Sequence, residues 1–245
     1  MQRISAIRAI LFDKDGTLLD FDATWRDFAH ELAMEAAGGN AGTAAQILAG
    51  MGYDPRTSRF AAGSLFAAAA NAEVIAALYP HLAGEELHDR IVAADRRAAS
   101  VEAVALPGVV DAVRHLSAAG LRLGLATNDS VLGARRTLAA FGLTPFFDAV
   151  FGYDSVHRPK PAPDVVLAFA AAIGMEPGEI AMVGDNLHDL VAAREAGAVA
   201  IGVLSGNSRR EHLEPLADLI LDSVTDLAAI LGEHRALRPT SSAQA

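Results

Sequence analysis

Short apolar runs alternate with amphipathic stretches over most of the chain. Residues 7–12 are almost wholly apolar and stop at Asp13-Lys14-Asp15-Gly16, the pattern of a strand buried on both faces that empties into a polar loop. Four further runs end in the same way. Residues 121–126 stop at Thr127-Asn128-Asp129, 149–151 at Gly152, 180–183 at Gly184-Asp185-Asn186 and 199–204 at Ser205-Gly206. Between them the spacing of apolar positions predicts helices over 108–119, 130–141, 163–173 and 187–196, and several are followed by a glycine, as at Gly174 and Gly197, expected just past a helix end. This β-α-β-α order, with right-handed crossovers, implies an α/β fold. Its core is a doubly wound parallel sheet, Rossmann-like, with helices on both faces and the ligand at the carboxyl ends of the strands.

Residues 20–104 break the rhythm. They offer no convincing strand and instead show alanine-rich helical stretches at 24–37, 41–51, 63–78 and 85–104. The stretch 52–63, with Tyr53, Pro55, Arg56, Ser58 and Arg59, reads as an irregular loop. The expected division is therefore an α/β catalytic core from 1–19 and 105–232, an inserted helical cap over 20–104, and a flexible tail at 233–245. Hinges are expected at 18–21 and 103–108, the second marked by Leu106-Pro107-Gly108. A helical unit hung over the exit of the first strand can act as a lid.

Composition narrows the partners. Thirty acids against twenty bases give a net charge of −10, which argues against nucleic acid or an anionic membrane as a partner, because both demand a basic surface. The longest apolar stretch, near 165–173, falls short of the roughly 18–20 residues that span a bilayer, and the first ten residues hold no long apolar segment, so a cytoplasmic protein is expected. There is no cysteine, which excludes disulfides, thiolate zinc sites and cysteine nucleophiles. Of the twenty basic residues only Lys14 and Lys160 are lysine; the other eighteen are arginine, and 52 residues are alanine, a bias that reads as compositional. Against that background a lysine draws attention.

The strand exits carry Asp13, Asp15, Thr127, Asp185 and Asp189, with Lys160 beyond the third, and the predicted sheet brings them to one edge. In extended geometry Asp13 and Asp15, at i and i+2, place their carboxylates on one side. Neighbouring carboxylates repel unless a divalent cation or a lysine sits among them. Oxygen-only donors favour Mg²⁺, which keeps several waters and commonly also holds a phosphate. The Thr127 hydroxyl and Lys160 ammonium suit that anion.

Asp13-Lys14-Asp15-Gly16-Thr17-Leu18, then Ala126-Thr127-Asn128, Arg158-Pro159-Lys160-Pro161 and Gly184-Asp185-Asn186-Leu187-His188-Asp189 resemble, in order and spacing, the four motifs of the haloacid dehalogenase superfamily. The resemblance runs from about Ala6 to Leu231, and the insertion is similar to the helical cap of the phosphoglycolate-phosphatase-like branch. It implies a Mg²⁺-dependent phosphatase acting on a small-molecule phosphomonoester, with phosphoglycolate suggested by the resemblance alone. Asp13 would attack phosphorus, and Asp15 would protonate the leaving oxygen and then activate water. Thr127 and the Asn128 amide would bind phosphoryl oxygens and Lys160 would neutralise charge on them. The metal set implied is Asp13, Asp15 through its carbonyl, Asp185, and Asp189 through water or by orienting Lys160.

Other readings weigh against these. Lys14 is expected at the surface or in a cap contact and His188 facing solvent, while Trp25, Arg26 and Arg59 are candidate substrate contacts from the cap. A receiver-like phosphoacceptor would carry adjacent acids and a phosphoacceptor on a later strand, unlike this layout, and a non-enzymatic phospholigand-binding relic would lack a catalytic group. Asp15 argues against a metal-free dehalogenase, and the absence of lysine from 20–102 argues against a Schiff-base phosphonatase. A sugar-phosphate mutase keeps the same core and is the alternative activity. Oligomeric state is left open.

Overall fold

The computed structural model describes residues 2–236. One helical turn, α1 (Gln2–Ser5), leads into β1 (Ala9–Phe12), whose four residues are all buried. Before the sheet resumes come α2 (Phe21–Ala36), α3 (Ala41–Gly50), β2 (Tyr53–Asp54), β3 (Arg59–Phe60), α4 (Leu65–Ala68), α5 (Asn71–Leu78) and α6 (Gly84–Ala98). Strands and helices then alternate through α7 (Val109–Ala118), β4 (Arg122–Ala126), α8 (Val131–Ala140), β5 (Ala149–Phe151), α9 (Asp164–Ile173) and β6 (Ile180–Gly184). The last elements are α10 (Leu187–Ala196), β7 (Val199–Val203), α11 (Arg210–Leu213), β8 (Leu219–Leu221) and α12 (Val224–Ala236).

Six strands form one parallel sheet in the order β5-β4-β1-β6-β7-β8. The chain winds outward from β1 through β4 and β5, then crosses back and winds through β6, β7 and β8. β1 therefore sits at the topological switch point, where an open parallel sheet leaves a crevice beyond its strand ends. Alternate strand residues face opposite layers. Ile10 and Phe12 join a core with Val113, Leu116 and Leu227 of α7 and α12, whereas Ala9 and Leu11 join one with Phe169 and Leu190 of α9 and α10. The fold is the doubly wound, Rossmann-like α/β sheet expected. Gly174 and Gly197 close α9 and α10 in the left-handed conformation, as their positions predicted.

The helices from α2 to α6 bury a separate apolar cluster that includes Trp25, Phe28, Leu32, Leu48 and Ile75. The chain enters and leaves this region side by side: Asp20 N donates to Val104 O at 2.8 Å and Leu106 N to Leu18 O at 3.1 Å. Several local expectations are corrected here. Residues 52–63 are not simply an irregular loop but contain the β2–β3 hairpin, pairing Tyr53 with Phe60 and Asp54 with Arg59. The predicted helix over 63–78 divides into α4 and α5 because Ala69 and Ala70 are extended, and the last predicted helix of this region stops at Ala98. β8 is an unpredicted edge strand. Of the expected tail, 233–236 continue α12, and 237–245 lie outside the described residues. Among the described residues no helix is long and apolar enough to cross a membrane.

Candidate active site

Three neighbouring strands deliver the first residues of the site. Asp13 extends β1 by one ladder bond, its N–H donating to Val183 O at 2.8 Å, and Thr127 extends β4 through Phe151 O at 3.0 Å. Asp185 follows β6 directly. One turn later, Asp189 serves the start of α10: its Oδ2 accepts the Asn186 N–H at 3.1 Å, the return half of a capping box. Asp13, Thr127, Lys160, Asp185 and Asp189 are all buried, and all line one cavity with Asp15 and Asn128.

Lys160 is held at the centre. Its Nζ donates to Asp13 Oδ1 at 2.6 Å, Asp189 Oδ1 at 2.6 Å and Ala126 O at 2.9 Å, which uses all three ammonium hydrogens. Burial alone would weaken its hold on the proton, but Asp13 and Asp189 more than offset this and raise its pKa. Asp13 is pushed up to about 6, chiefly by burial, with Lys160 opposing and Asp189 adding to the rise. Burial, then the charges of Asp13 and Asp189, raise Asp185 well above the usual carboxylate range.

One ammonium does not balance this acid cluster. Asp13, Asp185 and Asp189 each present a carboxylate oxygen, and these oxygens lie within 4.8 Å of one another. The Asp185 carboxylate accepts the Asn207 N–H at 3.1 Å, and glycines hem it in: a Cβ on Gly206 would fall 1.8 Å from Asp185 Oδ2. Three buried hard oxygen donors carrying excess negative charge fit a divalent cation.

Asp15 behaves differently from expectation. The chain after β1 turns instead of staying extended, with Lys14 O accepting the N–H groups of Leu18 (2.9 Å) and Leu19 (3.1 Å) and Gly16 at a φ of 78°. The Asp15 carboxylate is thus not part of the three-acid group. It pairs with Lys14 at 3.2 Å, accepts Trp25 Nε1–H, and lies 3.4 Å from Thr127 Oγ1. Burial raises its proton affinity, with the Lys14 charge opposing.

Lys14 is not a surface residue. It is fully buried, 2.6 Å from Asp129 Oδ2, and its ammonium lies 4.7 Å from the centre of the Trp25 ring. Sequence reasoning missed this pair, although the chain's second lysine following a strand-exit aspartate was a signal. His188 is also not turned to solvent: it is half-buried, lines the cavity and places Nδ1 3.2 Å from Ala68 O, and burial lowers its pKa. The Asn128 side chain donates to Ala68 O (3.1 Å) and Lys160 O (3.0 Å), tying α4 to the lysine loop. Trp25 lines the cavity, but Arg26 and Arg59 do not; they pair with Asp27 at 3.5 Å and Asp22 at 2.9 Å.

Known proteins resemble this chain in sequence and fold. The model for haloacid dehalogenase-like hydrolases matches residues 7–197. A probable phosphatase, IndB, of Dickeya dadantii (strain 3937) is 36% identical over 136 residues, 56% of this chain and 58% of that protein. A phosphoglycolate phosphatase of Salmonella choleraesuis (strain SC-B67) is 36% identical over 129 residues, 51% of this chain and 50% of that protein. The matches thus span about half the length of these curated relatives. Among solved structures, CbbY from Rhodobacter sphaeroides in complex with phosphate is similar with a TM-score of 0.65 and 26% identity, covering 90% of this chain and 96% of that one.

Proposed function

The chain belongs to the haloacid dehalogenase-like hydrolases, and on that footing we propose that it is a Mg²⁺-dependent phosphatase of small phosphomonoesters, in the branch of its phosphoglycolate-phosphatase relatives. The observation that carries the reading is Lys160 clamped between Asp13 and Asp189 at 2.6 Å each, with Asp185 beside them.

Asp13 is the nucleophile. Its carboxylate oxygen bonds to phosphorus while the bond from phosphorus to the alcohol oxygen breaks, and Asp15 gives that oxygen its proton. The raised proton affinity of Asp15 suits an acid. Asp15 then takes a proton from water as the water oxygen bonds to phosphorus and the bond to Asp13 breaks. Ester and water become alcohol and phosphate. The Thr127 hydroxyl and Asn128 N–H bind phosphoryl oxygens, and Lys160 offsets their charge. Asp189 positions Lys160. Asp13, Asp185 and the Asp15 carbonyl would hold Mg²⁺, with Asp189 nearby, and the ion bound there would supply Lewis-acid polarisation of the phosphoryl group.

Residues 20–104 form the cap of this site. Their separate apolar cluster and the paired crossings at Asp20 and Val104 support a unit that moves as one body on two adjacent strands of chain.

The test is phosphate release from a panel of metabolite phosphates, phosphoglycolate among them. Asp13→Asn should abolish turnover, and EDTA should stop it until Mg²⁺ is restored. A purified Asp13→Asn enzyme with near-normal rates would sink the mechanism.

A further inference from the structure

The cavity over Asp13 has two unlike halves. The half built from strand ends is polar and charged, with Asp13, Thr127, Lys160 and Asp185 among its residues. The other half comes from the helical region and is lined by Phe21, Trp25, Phe28, Phe66 and Val74, with alanines between them. Phe21 meets Phe66 edge-on at 5.9 Å, and Trp25 meets Phe28 at 5.9 Å, so two ring pairs make up this apolar wall. Asn71 is the polar side chain on this wall, and its Nδ2 donates to Asp95 Oδ1 at 2.5 Å. The cavity is small, about 90 Å³.

Cations for a second anionic group are missing from this wall. Lys160 spends its three donors on Asp13, Asp189 and Ala126, and Lys14 is held by Asp129 and Asp15. No arginine lines the cavity among the described residues; Arg59 pairs with Asp22, Arg90 and Arg97 pair with Glu35, and His188, which lines the cavity from α10 rather than from the aromatic wall, has Nδ1 3.2 Å from Ala68 O. A carboxylate or second phosphate placed against these rings would shed its water without gaining a partner. An apolar group would gain from the same burial.

We infer that the substrate is the phosphate monoester of a compact apolar alcohol, arylmethyl or branched alkyl, whose carbon skeleton packs against Phe21, Phe28 and Phe66 while its phosphate lies over Asp13. This rests on the hydrolytic reading above for turnover, but the aromatic lining of the cavity and its lack of a free cation carry it. Water is the co-reactant, and the products are the apolar alcohol and inorganic phosphate.

Benzyl phosphate and phosphoglycolate make the decisive pair, since each releases an alkoxide and they differ in carrying a phenyl ring or a carboxylate. With Mg²⁺, kcat/KM for benzyl phosphate should exceed that for phosphoglycolate by about tenfold or more. In parallel, calorimetry with benzylphosphonate and phosphonoacetate reads the pocket without turnover, and benzylphosphonate should bind at least about tenfold more tightly. Phe66→Ala should raise KM for benzyl phosphate about tenfold and so narrow the ratio of the two kcat/KM values. Equal or better binding of phosphonoacetate overturns the inference, as does equal or better use of phosphoglycolate. Selective benzylphosphonate binding without phosphate release from either ester upholds the pocket and defeats the hydrolytic reading instead.

Discussion

Lys160 and Lys14 share a residue type and nearly complete burial, yet each serves a different acid pair. Lys160→Met would leave Asp13 and Asp189 buried without their cation, so unfolding free energy should fall by about 3 kcal/mol in a urea titration, with turnover lost as well. Lys14 joins Asp15 to Asp129, and Trp25 from α2 completes the enclosure. Trp25→Phe keeps the apolar ring and removes the N–H that Asp15 accepts. Its kcat for an alkyl phosphate should drop about tenfold, and that for 4-nitrophenyl phosphate much less, because a good leaving group needs little help from a proton donor. Equal losses on both substrates would show that the bond does not orient the acid. Asp13, Asp15 and Lys160, the proposed nucleophile, acid and phosphate cation, stand out in the sequence at or beyond strand exits. The surface placement of Lys14 failed because it assumed extended chain where Lys14 O closes a turn onto Leu18 and Leu19.

Among the elements, the loop after β7 does more than connect strands. Asn207 N–H holds the Asp185 carboxylate, and Gly206 gives that carboxylate its space. Gly206→Ala should displace Asp185 and weaken Mg²⁺ binding about tenfold in a calorimetric titration while the protein stays folded, since the added methyl, on a loop, first meets the Asp185 side chain and not backbone. The same loop is gripped by the β2–β3 hairpin, where Arg59 donates to Asn207 Oδ1 at 3.0 Å and pairs with Asp22. The hairpin was illegible because two-residue strands show no period, and β8 because Leu219–Leu221 is a three-residue run at the sheet edge. Helices α7 to α10 were legible from their apolar stripes, with Gly174 and Gly197 marking two of their ends, whereas α12 was not predicted.

At the level of the whole molecule, contacts between the helical region and the sheet layers bear on stability. Asp95 of α6 accepts hydrogen bonds from Asn71 and from Tyr153 Oη at 2.7 Å, so one carboxyl bridges the two parts. Burial raises its pKa above the ordinary 3.8, against the effect of those donors. The folded state therefore binds this proton more tightly than the unfolded chain does. Its contribution to stability is complete below pH 3.8 and is lost as pH rises through the raised folded value. Asp95→Asn should flatten that part of the pH dependence, so urea midpoints compared between pH 4 and pH 7 should fall less for the variant than for the parent. The sequence by itself determined five of the six sheet strands, helices α7 to α10 between them and the order of the acids and Lys160, because apolar runs and helix ends are properties of neighbouring residues. Tertiary structure alone decided which cation meets which acid, that the three-acid group excludes the Asp15 carboxylate, and that the wall facing Asp13 is aromatic. Those pairings join residues as far apart as Asp13 and Lys160, 147 positions along the chain, and their strength comes from burial that exists only once the elements have packed.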